Sequence, residues 1–593
     1  MTPTEKEPSS GSSPPPSFNT KNIGKCLLLA SLPGLLAGAH LANLLFFLNP
    51  NLPFSPSTFL QSVLIYGAFL GGGSALFLTA VSRASVRRLL RWLPWAITLV
   101  LTATAVLDWV FASRYSFFLP PGINVRMIKA GIWLSVLSLI CFYIALLHTL
   151  HHRPYRRRAR WGLILMAVAS VYVMAERREA FKPRLRPAPR PSQIELGQRP
   201  NLYVVGLDGA TLDAILPLAR QGRLPFFAHL LEEGVYARPK SFRPVQKEAL
   251  WTTLATGRLP YKHGIVGDRA FKAGFLGENA WITLFPTRLD SVAWRIVSSP
   301  TPIDSRFCQA LAIWDVLERL QFLPGVVGWP VTDPVSSKTA FTFSDRYFRG
   351  VYSETTAQPK ELAERGILFR VDPQEIESPL LDELDNRAPY RFLRTFSGDL
   401  WRESLGRFLL DQRSEVRASF FMLPGLAEIS LRYFGGFAAV QFGGVKRRPH
   451  VQASQLLTAY YRHLDRFLAD LWARDSGPRI LAVVSAYGVE APDGWHKLWA
   501  QATGQAIEGR SQQAPDGLFM MAGEGVRAGQ FLEKVELVDI MPTLLYALGF
   551  PIARDLDGKI LTGAFSADFL DQHPLTVVPS YETLAPLDLA SLP

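Results

Sequence analysis

A series of long apolar segments near the N-terminus restricts the fold of this chain more than any other feature of its sequence. Four clear segments and a shorter fifth one lie at about 26–48, 59–81, 93–112, 131–150 and 161–175. The first four are each close to the ~20 residues with which a helix crosses a bilayer. The pattern predicts an all-α transmembrane region of about five helices at 23–176, with the lipid bilayer as a partner.

The rest of the sequence divides by composition into four parts. Residues 1–22 are rich in Ser, Pro and Thr and lack an apolar run, which predicts a disordered tail. Residues 177–198 are rich in Pro and Arg, which predicts a semi-rigid linker. A second domain is expected at 199–575 and a C-terminal tail at 576–593.

Basic residues are distributed unevenly between the apolar segments. The loop at 49–58 has none, whereas four arginines lie at 82–92 and five at 151–160. Because loops rich in Lys and Arg stay in the cytoplasm, five crossings would place the second domain outside. We therefore predict a multi-pass membrane protein with an extracytoplasmic C-terminal domain. Six basic residues at 177–190 oppose this interpretation, and the domain would be cytoplasmic if the fifth segment does not cross.

Net charge and cysteine content narrow the possible classes of function. The chain carries a net charge of +13, but many of its arginines form short runs beside apolar segments. That distribution is typical of membrane topology and predicts no nucleic-acid partner. Cys308 is the one cysteine of the second domain, so no disulfide can form within it. Asp108, inside the third apolar segment, is interpreted as a residue near the membrane interface.

The second domain alternates between predicted strands and helices. A short apolar run at 201–207 indicates a strand buried in a parallel sheet, and Asp208 follows it directly. Further strands are predicted at 418–423, 479–486 and 518–522, and helices at 212–233, 250–256 and 455–473. The alternation predicts an α/β sandwich with a largely parallel sheet. Ligands of such sheets bind at the carboxyl ends of strands, where Asp208 stands.

Three stretches of this domain resemble signatures of the alkaline phosphatase superfamily. They are VVGLDG at 204–209, WTTLATG at 251–257 and VDIMPTLL at 538–545. They are most similar to type I phosphodiesterase/nucleotide pyrophosphatase domains. The resemblance implies an alkaline-phosphatase-like α/β sandwich. It also implies two metal ions, commonly zinc, held by about six Asp and His ligands beside a Ser or Thr nucleophile.

Most of those site positions carry other residues in this sequence. Asp208 matches the first ligand, and Lys247 stands at the position of the nucleophile. The remaining ligand positions are matched by residues other than Asp or His, namely Ala427, Leu431, Ala486, Tyr487 and Gln513. We therefore predict no catalytic residues and no cofactor, with Asp208 as a vestigial metal ligand. The alternative is two zinc or other divalent ions held by residues elsewhere.

Two functions follow from the resemblance. The favoured hypothesis is a membrane-anchored, extracytoplasmic pseudoenzyme that acts by binding or within a surface complex. Lys247 could then hold an anionic or phosphate-bearing ligand, and His496 is a further candidate for a new site.

The competing hypothesis is an active metal-dependent phosphodiesterase or phospho-group transferase. Membrane segments before such a domain resemble bacterial envelope enzymes that transfer phosphoethanolamine or glycerophosphate from lipid-linked substrates. In a third hypothesis the membrane region carries the function, and the second domain only supports it. No protein partner is identified.

Overall fold

The chain forms two compact units in the computed structural model. The model describes residues 20–82, 85–151, 157–175, 199–287, 294–295, 298–335, 339–374, 376, 388–436, 447–503, 508–511 and 515–583. The predicted linker and residues 1–19 of the predicted tail lie outside these residues. The first unit comprises the described parts of 1–116, 121–180 and 272–299, and the second comprises those of 117–120, 181–271 and 300–593.

Five helices form the N-terminal part of the first unit. They are α1 (Thr20–Leu48), α2 (Pro56–Val81), α3 (Val86–Arg114), α4 (Pro121–Leu150) and α5 (Arg157–Ala175). In the described part of the chain, α1 to α4 are long and apolar enough to cross a membrane. Helix α5 has 19 residues and is not among those four.

Small residues allow α1 and α2 to approach each other closely. A Cβ atom added at Gly38 of α1 would lie 2.6 Å from the backbone nitrogen of Gly67 in α2. Farther along the same contact, the Ser74 hydroxyl donates to the carbonyl of Ala30 at 2.9 Å. Between membrane helices, where burial of apolar surface gives no driving force, such close backbone contact provides the packing energy.

Gly38→Leu is expected to disrupt this helix pair. The new side chain has no space beside Gly67, and overpacking of this kind costs about 1–3 kcal/mol. Gly72→Leu on α2 is the matched control, because a Cβ atom there meets nothing within 4 Å. The midpoint of thermal unfolding in detergent should fall for the first variant and stay near the parent value for the second. Equal shifts would contradict the packing argument.

Helix α5 packs on α1 and α4. The His40 imidazole of α1 lies 3.1 Å from the Ser170 hydroxyl of α5, and the Asn43 amide donates to the carbonyl of Val171. Both contacts involve the C-terminal half of each helix. The sulfur atoms of Cys141 in α4 and Met166 in α5 lie 3.9 Å apart.

A segment from within the predicted second domain, the described part of residues 272–299, belongs to this first unit. Asn49, which follows α1 and is 3% exposed, holds this segment by hydrogen bonds from its side chain to the backbone of the segment. The side-chain oxygen Oδ1 of Asn49 accepts from the backbone amides of Thr283 at 2.8 Å and Leu284 at 3.1 Å. Its side-chain nitrogen Nδ2 donates to the backbone carbonyl of Leu284 at 2.7 Å. One side chain thus satisfies three backbone groups of a segment more than 200 positions later in the sequence.

The second unit is built on a nine-stranded mixed sheet with the order β12-β2-β11-β10-β1-β9-β6-β7-β8. Its strands are β1 (Asn201–Leu207), β2 (Gly234–Ala237), β6 (Pro324–Val327), β7 (Phe341–Phe343), β8 (Ala357–Gln358), β9 (Ala418–Leu423), β10 (Arg479–Ser485), β11 (Leu518–Gly523) and β12 (Gln530–Leu532). Shorter strands are β3 (Arg269–Lys272), β4 (Trp281–Ile282), β5 (Thr301–Pro302), β13 (Ile552–Ala553) and β14 (Val577–Val578). Strands β10, β1, β9, β6 and β7 are parallel, which confirms the predicted fold class.

The helices of the described chain continue the alternation with the strands. They are α6 (Leu212–Arg220), α7 (Pro225–Glu233), α8 (Lys247–Thr256), α9 (Pro260–His263), α10 (Ile313–Arg319), α11 (Lys360–Ile367), α12 (Tyr390–Gln412), α13 (Gly425–Tyr433), α14 (Arg447–Ala473), α15 (Gly494–Thr503), α16 (Ile540–Ala547) and α17 (Ala567–Gln572). The prediction of one helix at 212–233 is wrong. The chain turns at Gly222, with φ +71°, and Pro225 starts a second helix.

The two faces of β1 contact different helices. Val205 and Leu207 belong to a buried cluster with residues of α6, α7, α12 and α14. Gly206 points to the opposite face, where a Cβ atom would lie 3.0 Å from the Trp251 ring of α8. Helix α8 therefore covers the same face of β1 to which Asp208 belongs. The described fold continues beyond Leu575 through β14 to Thr583.

Candidate functional site

The ends of three parallel strands meet around Asp208. Strand β1 lies between β9 and β10, so the residues that follow these three strands lie at one edge of the sheet. Asp208 is fully buried there, and its amide donates to the Leu423 carbonyl at the end of β9 at 3.3 Å. A buried carboxylate needs a cation or several donors to offset its lost hydration.

Helix α8 supplies two partners for that carboxylate. The Lys247 ammonium forms an ion pair with Oδ2 of Asp208, and the Trp251 indole Nε1–H donates to Oδ1 at 3.0 Å. Lys247 is the first residue of α8, and Trp251 follows one turn later on the same helix face. The side chain at the predicted nucleophile position therefore contacts the predicted vestigial ligand directly.

The residues after β10 complete the surroundings of Asp208. The Tyr487 hydroxyl donates to the Asp208 carboxylate, and burial together with that carboxylate raises the pKa of Tyr487 well above its usual value. Ala486, the preceding residue, is fully buried. Asp208 thus has a lysine, a tryptophan and a tyrosine as partners. The first two were not recognised as partners from the sequence, although the spacing of four between Lys247 and Trp251 could have indicated a shared helix face.

The third ligand pair falls on α13, which begins after β9. Ala427 is buried against Gly209, where a Cβ atom would come within 2.9 Å of the Ala427 Cα. Gly209 also has a φ of +76°, which favours glycine. Leu431 lies one turn farther along α13 and is half-buried. The structure therefore places Ala427 beside the Asp208–Gly209 turn, and its assignment to a former ligand position stays a prediction.

A buried acid fixes the start of α13. The Asp399 carboxylate of α12 accepts from the Gly425 amide at 3.0 Å and from the Tyr460 hydroxyl of α14 at 2.6 Å. Burial raises the pKa of Asp399 to about 6, against the opposing effect of nearby Arg402. These bonds position α13, and with it Ala427, relative to the ends of the strands.

Other acidic groups surround Lys247. Burial raises the pKa of Glu248, the next residue of α8, and Lys247 opposes that rise. Burial also raises the pKa of Asp345, which pairs with Arg349 at 3.0 Å and is influenced by Lys247 as well. Lys247 therefore lies near three carboxyl groups, and Arg349 also acts on both Glu248 and Asp345.

The side chains of two candidate site residues lie outside the described part of the structure. Gln513 lies outside the described residues. His496 lies in α15, but its side chain is also outside the described part of the structure. Both remain predictions.

The described side chains around Asp208 do not fit a metal centre. Among them Asp208 is the one carboxylate at an aligned ligand position, and its oxygens are occupied by Lys247, Trp251 and Tyr487. A zinc site in proteins usually has three or four Cys, His, Asp or Glu ligands. Within the described residues, no group of three or more such side chains is close enough to hold a metal ion.

The topology and the site define an α/β domain of the alkaline-phosphatase type, preceded by apolar helices. A family model, type I phosphodiesterase/nucleotide pyrophosphatase, matches residues 202–497. The second domain of this chain belongs to that family.

Three solved structures match this chain at low sequence identity. An inactive variant of murine ectonucleotide pyrophosphatase/phosphodiesterase 5 in complex with AMP is 12% identical, with a TM-score of 0.36, and the match covers 63% of this chain and 99% of that one. The human protein is 12% identical with a TM-score of 0.35 and the same coverage of 63% and 99%. A mutant of the alkaline phosphatase PafA is 12% identical with a TM-score of 0.40, covering 62% and 99%. No curated protein sequence matches the chain.

Proposed function

We propose that this protein is a membrane-anchored, extracytoplasmic member of the family that acts by binding rather than by catalysis. The observation that carries the proposal is the contact between the Lys247 ammonium and the buried Asp208 carboxylate. In the family, the corresponding positions would hold the nucleophile and a metal ligand. Here an internal ion pair neutralises the carboxylate, so the buried charge is satisfied without a metal.

The exposed part of the Lys247 side chain indicates the chemical class of the ligand. The Lys247 side chain is 32% exposed, so a ligand can reach its ammonium from solvent while Asp208 stays covered. A phosphate-bearing or other anionic group is the chemistry that such an ammonium recognises. The acidic groups Glu248 and Asp345 nearby oppose the binding of an anion, whereas Arg349, which acts on both, favours it.

The full-length protein, purified in detergent, is expected to bind no stoichiometric metal and to hydrolyse no nitrophenyl phosphodiester. The reason is the number of ligands, since the aligned positions offer one carboxylate that is already paired. Metal analysis after dialysis against zinc, manganese or calcium, with an activity assay for each ion, measures both. An active family enzyme assayed in parallel is the control for detection.

Two metals per chain with metal-dependent turnover would overturn the proposal and support the phosphodiesterase or transferase alternative. The ligands would then lie among residues that the structure does not describe, and His496 and Gln513 would be the first to replace. Binding of inorganic phosphate or AMP that Lys247→Ala removes and Lys247→Arg retains would support the binding function.

The extracytoplasmic location rests on five crossings. Helix α5 packs on α1 and α4 beside the long apolar helices, as a fifth crossing would. The arginine-rich loops at 82–92 and 151–160 have the character of cytoplasmic loops. Together they support an outside position for the second domain.

Reporter fusions test this topology directly. A reporter fused after Leu150 should lie in the cytoplasm, and one fused after Pro191 should lie outside. Each fusion is made with two reporters, one active only in the cytoplasm and one active only outside it, so that each position gives a positive signal. If both positions report the same side, α5 does not cross and the domain is cytoplasmic.

A further inference from the structure

Helix α15 presents an apolar stripe to solvent. Trp495, Leu498 and Trp499 are 72%, 61% and 60% exposed, although a soluble surface rarely carries three large apolar side chains together. Their spacing of three and four residues places them on one helix face. Ala502, one turn later on that face, is also exposed. The apolar face of this amphipathic helix has no partner within the described chain.

Helix α15 lies at the same edge of the sheet as Asp208. It begins at Gly494, shortly after β10 ends at Ser485, and Tyr487 in the connection contacts Asp208. Eight residues separate the end of β10 from the start of α15.

Two residues of the link between α3 and α4 pack beside the chain that leaves β2. Strand β2 is antiparallel to β11, which is antiparallel to β10, so β2 also ends at this edge. The chain leaving β2 passes Phe242, whose ring lies 5.3 Å from that of Phe117 and 5.6 Å from that of Phe118. Both phenylalanines belong to the short link between α3 and α4, which forms part of the second unit.

The composition of α15 suits a lipid surface. Tryptophan concentrates at membrane interfaces, where its ring is buried and its N–H stays hydrated. The helix, GWHKLWAQAT, contains Lys497 and no acidic residue, so no charge on it opposes an anionic bilayer. Interfacial helices insert an apolar face of this kind at the level of the headgroups.

We propose that α15 is an interfacial helix, with Trp495, Leu498 and Trp499 inserted into the bilayer to which α1 to α4 anchor the protein. The candidate site would then open at the membrane surface, where lipid-borne ligands are concentrated. This inference does not depend on whether the site is catalytic.

Spin labels in the full-length protein test the proposal. The three native cysteines are replaced by alanine, and a nitroxide is attached at Leu498→Cys. The control label is at Glu524→Cys, an exposed position at the opposite end of the sheet, because β11 ends there beside the start of β10. The protein is placed singly in nanodiscs of phosphatidylethanolamine and phosphatidylglycerol, and label accessibility to oxygen and to a water-soluble nickel chelate is compared.

The label at 498 should show a several-fold higher ratio of oxygen to nickel accessibility than the label at 524. Adding Trp495→Ser and Trp499→Ser should reduce that ratio to the control value without changing the thermal midpoint, because both side chains are exposed in the folded domain. Equal ratios at 498 and 524 would overturn the proposal. A second preparation places two chains in each disc. Dipolar coupling between their labels, without higher oxygen accessibility at 498, would assign the stripe to self-association and would also overturn the proposal.

Discussion

Lys247→Ala should lower the free energy of unfolding by about 3–5 kcal/mol, because it leaves a fully buried carboxylate without its cation. Asp208 keeps the indole donor of Trp251 and the hydroxyl of Tyr487, so the loss should lie toward the lower end of that range. The loss is measured as a fall in the thermal midpoint of the full-length protein in detergent. A lysine that had only replaced a catalytic side chain at the surface would show no such effect.

Two further variants separate the ion pair from a general effect of losing a lysine. Lys360→Ala removes a lysine whose partner Glu354 is 80% exposed, and a pair of that kind contributes about 1 kcal/mol or less. The double variant Lys247→Ala/Asp208→Asn removes both charges and should recover part of the loss, as expected of two groups that interact directly. A double variant less stable than Lys247→Ala by the full cost of Asp208→Asn alone would contradict the pairing.

Trp251→Ala should be comparably damaging, at about 3–5 kcal/mol, because it empties a large fully buried site. The Trp251 ring packs edge-on against Trp329, with the ring centres 5.3 Å apart, and covers Gly206 of β1. Removing it therefore takes away contacts on α8, on the central strand and on Asp208 at once. The measurement is again the thermal midpoint, together with far-ultraviolet circular dichroism to detect loss of structure.

Trp251→Phe distinguishes packing from hydrogen bonding at this position. Phenylalanine retains most of the apolar contact but cannot donate to Asp208, so a loss of about 1–3 kcal/mol is expected. The phenylalanine variant should thus lie between the parent and Trp251→Ala. If it were as stable as the parent, the indole N–H would contribute nothing to holding the Asp208 carboxylate.

The parts of the fold that the sequence predicted well are those determined by local pattern. The strands at 201–207 and 418–423 have their predicted bounds because both are continuous apolar runs in a parallel sheet. The apolar helices were also predicted, since their length is set by the bilayer. The predicted helix at 212–233 failed because helical periodicity continues across the turn at Gly222, whereas the chain direction does not.

The candidate site was predicted in part. Counting from the WTTLATG motif placed Lys247 at the nucleophile position, and Asp208 followed from its strand. That the two side chains pair could not be derived, because it depends on α8 lying across the end of β1 rather than on spacing along the chain. Tyr487 was identified as a missing ligand, but its hydroxyl bond to Asp208 is likewise a property of neighbouring strand ends.

The bonds that Asn49 makes to Thr283 and Leu284 bear on how this protein can be divided in the laboratory. The membrane region and the second domain are not separate modules of sequence, since residues 272–299, from within the predicted second domain, belong to the first unit. A fragment starting at residue 199 would carry 272–299 without the side chain that satisfies its backbone. Chimeras that graft this domain onto another membrane anchor should therefore transfer the α1–α2 loop as well, and fragments for crystallisation should either retain that loop or delete the orphaned segment.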